Sequence, residues 1–171
     1  MKINITGLDK WKKYEHQSYI KTVALKLEEV TESLKWQKEI EEARYSQNNG
    51  HDGKSILKMI LSGADDMAKN PDGDIDLDCY EFHQLSNTVA YTYLGDYRTF
   101  LNTYFLNIRM KSGVRGEAQL SNTIMHELMH RAFRFTHSQP YNQTVPYKIG
   151  SITEKHYYER FRAALAIRIG A

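Results

Sequence analysis

The run Leu120-Ser-Asn-Thr-Ile-Met-His-Glu-Leu-Met-His-Arg-Ala-Phe133 restricts the fold more than any other segment of the chain. Leu120, Ile124 and Leu128 recur at every fourth position with Met125, Met129 and Ala132 beside them, so the spacing predicts an amphipathic helix with one buried face. His126 and His130 stand four residues apart in it, and Glu127 follows the first. Residues at that separation share a helix face, so the two imidazoles can meet at one point.

Two neutral imidazoles meeting at a point are metal ligands, and a carboxylate beside them can manage a water proton; the HExxH pattern therefore points to zinc. A catalytic zinc takes three protein ligands and leaves a fourth position for water. His137 is the nearest candidate for the third ligand, seven residues after His130. Glu154 and His156 are the others, at the start of a second amphipathic stretch, Glu154 to Ile167.

The segment His126-Glu-Leu-Met-His-Arg-Ala-Phe-Arg-Phe-Thr-His137 resembles the zincin metallopeptidases, and most nearly the metzincin pattern HExxHxxGxxH. The resemblance implies His126, His130 and His137 as zinc ligands and Glu127 as general base. It departs from the pattern in two respects: Phe133 stands where metzincins have glycine, with the third histidine one residue late, and no methionine follows Met129 to form a methionine turn. Val145-Pro-Tyr-Lys-Ile-Gly150 is the segment for that place. The resemblance extends over about thirty residues and is that of a divergent or minimal zincin.

The implied activity is peptide-bond hydrolysis: zinc acidifies its water and polarises the carbonyl, while Glu127 takes the proton and passes it to the leaving amine. The developing oxyanion needs a further donor, for which Tyr147 is the first choice and Tyr157 and Tyr158 the alternatives. The substrate is a protein or peptide. A zincin-shaped binding module, with structural zinc or none, is the alternative from another class.

Ahead of the motif, Asn87–Leu94 and Thr99–Asn107 are rich in β-branched and aromatic residues, and Gly95-Asp-Tyr-Arg98 has turn chemistry, so a β-hairpin is expected. Zincins bind peptides along an edge strand, and the second hairpin strand is the candidate. Lys111–Glu117 reads as a connector into the motif helix. Asp72–Asp78 alternates aspartates in the manner of a calcium loop, but Leu77 and His83 occupy its sixth and twelfth positions, where an EF-hand has glycine and glutamate. The better reading is a turn entering a half-exposed strand, Asp74 to Phe82, with Ile75, Leu77 and Cys79 inward.

From Leu8 to about Tyr45 there is neither Pro nor internal Gly, and Val23, Leu27, Val30 and Leu34 keep helical spacing, which predicts one long helix or a helical pair. Ser46–Gly53 is a loop, and a short helix, Ser55 to Met67, follows. Trp11 and Trp36 read as packing residues, and His16, His51 and His83 as structural or surface residues. The expectation is a single α+β zincin-like domain over residues 1–171, with a helical part at about 8–67 and the motif-bearing part at about 74–171.

A net charge of +2 without a dense Lys/Arg tract excludes an electrostatic nucleic-acid surface. The sequence as given has no signal-peptide core and no run long enough to span a membrane. Cys79, the single cysteine, forbids an internal disulfide. These features point to the cytoplasm, or to release by a specialised route.

Overall fold

The computed structural model describes residues 1–65, 70–71, 73–94, 96, 98–138 and 140–169, without the side chains of 64–65, 70–71 and 163–169. In chain order the elements are β1 (Lys2–Thr6), α1 (Tyr14–Thr31), α2 (Leu34–Glu42), α3 (Gly53–Leu61), β2 (Ala64–Asp65), β3 (Asn70–Pro71), β4 (Asp74–Phe82), β5 (Ala90–Thr92), β6 (Arg98–Asn102), α4 (Thr103–Lys111), α5 (Gly113–Arg131) and α6 (Val145–Ile169). The fold is α+β: helices with a small mixed sheet in the order β1-β4-β6-β5, and a two-stranded ribbon of β2 and β3. Among the described residues no helix is long and apolar enough to cross a membrane.

The sheet follows from alternation. Along β4, Ile75, Leu77 and Cys79 are buried and the intervening carboxylates point outward, as the period of two requires. β1 lies parallel to β4, β4 parallel to β6, and β5 antiparallel to β6. The first strand, Lys2–Thr6, escapes the sequence reading because five residues carrying only Ile3 and Ile5 give too short an alternation to stand out.

The helical amino-terminal part is a pair, α1 and α2, separated at Glu32 and Ser33. Val23, Leu27 and Val30 of α1 are buried and Trp36 of α2 is fully so, while Leu34 is exposed. Trp36 donates from its indole to Thr153 on α6 at 3.1 Å, which ties this part into the motif-bearing part through the core. The expected short helix is present as α3, Gly53–Leu61, capped by Asp52, but it stops short of the expected span: Gly63, at φ 63°, turns the chain out of the helix and Ala64–Asp65 is strand β2. Its expected end at Met67 lies outside the described residues, as do Asp72 of the aspartate run and Gly95 and Tyr97 of the hairpin turn.

Three further expectations are corrected. The second hairpin strand was expected to reach Asn107, but it ends at Asn102, and Thr103–Lys111 is helix α4. Asn102 causes the switch. Its side chain caps α4 by accepting from the Tyr104 N–H at 3.1 Å and donates to the Gln84 and Thr88 carbonyls, both at 2.8 Å. An Asn that closes a helix terminus and clamps a neighbouring loop outweighs the strand propensity of the residues after it. Secondly, Lys111–Glu117 is not a connector: Ser112 and Gly113, at φ 54°, make the corner, and α5 begins at once. Thirdly, Val145–Gly150 is not a turn but the opening of α6, where Pro146 fits because first-turn N–H groups have no helical acceptor.

α5 runs through the centre of the molecule. Leu120, Ile124, Met125, Leu128 and Met129 are fully buried, each burial worth about 1.5–3 kcal/mol for a side chain of this size. Two glycines let neighbouring helices approach it: a Cβ on Gly116 would lie 1.8 Å from the Arg109 carbonyl oxygen of α4, and one on Gly150 of α6 would lie 2.3 Å from Asn122 Oδ1. The helix bearing the histidines is therefore gripped from both sides.

Candidate metal centre

His126 and His130 project from one face of α5 with their Nε2 atoms 3.1 Å apart. The chain then reverses. Arg134 adopts φ 54°, its N–H donates to the His130 carbonyl at 3.1 Å, and the Phe135 N–H donates to the Met129 carbonyl at 3.1 Å. Phe133 and Phe135, both buried, anchor the reversal. This brings His137 back over the helix, its ring centroid 4.8 Å from that of His130 and 5.4 Å from that of His126.

One ligand atom from each of the three histidines lies within 4.8 Å of the others, so the group could hold a metal ion. The other two candidates for the third ligand are engaged elsewhere. His156 meets Glu39 at 2.8 Å, and Glu154 accepts from Asn122 Nδ2 at 2.6 Å.

The chemistry of these donors suits a metal. Burial, with repulsion from His130 and His137, pushes the His126 pKa down to about 3. Burial also lowers the pKa of His130, against the raising effect of its contact with the Phe135 carbonyl, while His137 lowers it further. Both imidazoles are thus neutral near pH 7, the form that binds metals. His130 Nδ1 donates to the Phe135 carbonyl, which fixes the tautomer and leaves the Nε2 lone pair facing the cluster. His137 Nδ1 is buried with no hydrogen-bond partner. An unsatisfied buried nitrogen costs about 1–3 kcal/mol, and a metal at this site would relieve it.

Glu127 is 5% exposed and lies beside the cluster under β5. Burial lifts its pKa to about 7, moderated by a hydrogen bond from the Thr92 side chain. Tyr147, in the first turn of α6, has its ring centroid 4.5 Å from that of His126 and 5.0 Å from that of His137. The alternatives to it lie elsewhere: Tyr157 is buried and donates to Glu117 at 2.9 Å, and Tyr158 packs with Arg162.

A cleft of about 790 Å3 opens over the histidines and runs along α5 past Asn122 and Gln119. Its far wall is β5 with the preceding residues Asn87–Val89. β5 closes the sheet order, with β6 as its one neighbour there, so among the described residues no strand pairs with its outer edge. The edge is therefore the first hairpin strand, not the second as expected, because β6 is enclosed between β4 and β5.

No family model, curated protein or solved structure matches this chain.

Sequence reasoning missed three residues here. Thr92 and Tyr141, whose ring centroid lies 5.4 Å from that of His137, carry no motif. Arg109 also lines the cleft, from α4, a helix whose first part, to Asn107, was expected to be strand. The remaining histidines match their structural reading: His16 meets Asn107, His51 meets Ser55 and His83 meets Thr103.

Proposed function

We propose that this protein is a zinc-dependent peptidase of the zincin type, with His126, His130 and His137 as ligands and Glu127 as general base. One observation carries the reading: the three histidines converge in an open cleft, with a buried carboxylate beside them and an open strand edge opposite. The turn supports the zincin likeness. Its left-handed residue is Arg134 and the third histidine is His137, so the turn and the ligand are displaced together by one position, and the spacing of three between them is kept.

Bound zinc would supply the Lewis acid that acidifies water and polarises the carbonyl to be cut. The protein's groups do the rest. A substrate in extended form pairs its backbone with the free edge of β5, which lays it across α5. Glu127, in its basic form, takes the proton of the attacking water and delivers it to the leaving amine; burial makes this carboxyl a stronger base than one in water. Thr92 holds that carboxyl in place from the strand on which the substrate docks. The Tyr147 hydroxyl donates to the oxygen as it gains charge.

The test is metal content by elemental mass spectrometry with cleavage of a peptide library. About one zinc per chain, lost in His130→Ala, is expected. Glu127→Gln should keep the metal and lose turnover by at least about a hundredfold. Protein that takes up no metal after zinc addition would overturn the proposal, as would a Glu127→Gln variant that still cleaves.

A further inference from the structure

Away from the histidines, the cleft is lined by an arginine to which the peptidase mechanism gives no part. Arg109 comes from the last turn of α4, which Gly116 allows to press against α5. Its guanidinium is half-buried and makes no hydrogen bond or ion pair with a described residue. Burial is the main influence on it and pulls its pKa down to about 10, opposed by electrostatic interaction with Tyr19 and Glu154.

A guanidinium has five N–H donors in a planar fork, and one half-buried in a cleft without acceptors among the described residues presents that fork to the partner its shape fits, a carboxylate. Glu154 is not that partner. Its carboxylate is turned to Asn122, which donates to it at 2.6 Å, and it forms no ion pair with Arg109 among the described residues. Gly150 sets this arrangement, since only the missing Cβ lets α6 approach Asn122 so closely, one turn before Glu154. Arg109, Asn122 and Glu154 all line the cleft that contains the histidines.

Position defines what could be read there. Asn122 precedes His126 by four residues on α5, about 6 Å along the axis, the length of about two residues of extended peptide. We propose that Arg109 is a specificity-determining residue of the cleft and binds a carboxylate of the substrate within about two residues of the cleaved bond. The carboxylate is either an Asp/Glu side chain or the free end of the peptide, and both present the same pair of oxygens. This inference rests on the peptidase reading for the identity of the ligand as a peptide, and on the cleft alone for its charge.

The experiment uses zinc-loaded Glu127→Gln protein, which binds without turnover, and fluorescence anisotropy with three labelled peptide pools of equal length. One pool carries a glutamate at each position in turn and an amidated end. The second replaces glutamate by glutamine. The third is the glutamine pool with a free carboxyl end.

A carboxylate pool should bind about ten- to a hundredfold more tightly than the neutral one, and the pool that does so identifies the source of the carboxylate. Arg109→Gln should erase the difference while keeping the neutral affinity. Arg109→Lys, which keeps the charge without the fork, should retain part of it and serves if the glutamine variant fails to fold. Equal binding of all three pools overturns the proposal, as does a preference that survives Arg109→Gln. A preference that depends on Arg109, in a protein whose wild type cleaves none of the pools, would sustain the carboxylate site and remove the peptidase reading. Cleavage without preference would do the reverse.

Discussion

The two ends of the cleft are built in opposite ways. At one end, three imidazoles come from a single stretch of twelve residues, 126–137, and meet at one point. At the other, Arg109, Asn122 and Glu154 come from three helices and set a cation and an anion on either side of a neutral amide. The first end is local in sequence and needs only a helix and a reversal; the second exists only where α4 and α6 close on α5. A local site can be recognised before the fold is known, whereas an assembled one depends on every contact that brings its parts together.

That contrast can be broken at the histidine end first. His137→Ala should lower zinc affinity by at least about a hundredfold, with Glu154→Ala much less harmful, as read by competition with a chelating dye. The opposite order would place the third ligand at the assembled end and dissolve the distinction.

Gly116→Val should do the converse. A side chain against the Arg109 carbonyl forces α4 away, with an expected loss of about 2–4 kcal/mol in chemical denaturation and a loss of charge preference, while zinc is retained. Loss of zinc at the same time would show that the two ends are not separable.

Acidity sharpens the comparison within the histidine end. In metal-free protein the folded-state pKa of His126 lies below the unfolded value of 6.5, so the unfolded chain binds more protons and stability falls as pH drops below about 6.5. Glu127 acts in the opposite direction: its folded pKa of about 7 exceeds the ordinary 4.5, so it favours folding increasingly as pH falls from 7 to 4.5. Metal-free Glu127→Gln should therefore be more stable than wild type above pH 7, by on the order of 2–3 kcal/mol, and lose that advantage towards pH 4.5. Thermal melts across pH would detect it, and an unchanged difference between pH 8 and 4.5 would refute it.

The smallest expected effect lies on the cleft wall. Asn102→Ala removes the cap of α4 and the ties to Gln84 and Thr88, at a cost of about 1–2 kcal/mol in urea unfolding. Peptide affinity should fall more than zinc affinity, because the loop that it holds leads into β5. Equal losses would count against that loop as a substrate wall.

Legibility follows the same division. The strand Asp74–Phe82 was readable to the residue, since acidic and apolar residues alternate from Asp74 to Cys79 and the aromatic residues Tyr80 and Phe82 extend it. The motif helix was readable from its apolar spacing, although it begins seven residues before Leu120, where Gly113–Gln119 has little apolar signal. Asn102 hid a helix behind strand-like residues. Thr92 and Arg109 were illegible for another reason: nothing in their neighbours' identity records that β5 and α4 face the same cleft. Tyr147 was named for the wrong local structure, a turn, although its ring does stand at the histidines.

The loop carrying His137 has one further dependence. Gln47, itself at φ 52°, holds Ser138 by three contacts, its side-chain oxygen accepting the Ser138 N–H at 2.9 Å and its amide donating to the Ser138 carbonyl at 3.3 Å and hydroxyl at 2.5 Å, across 91 residues of chain. Ser46 reinforces this by donating to the Gln143 carbonyl at 2.8 Å. The ligand loop is therefore held from a loop far upstream in the chain, and the third histidine is placed only when both have folded together. Competence to hold a metal thus reports on contacts well outside the motif that binds it.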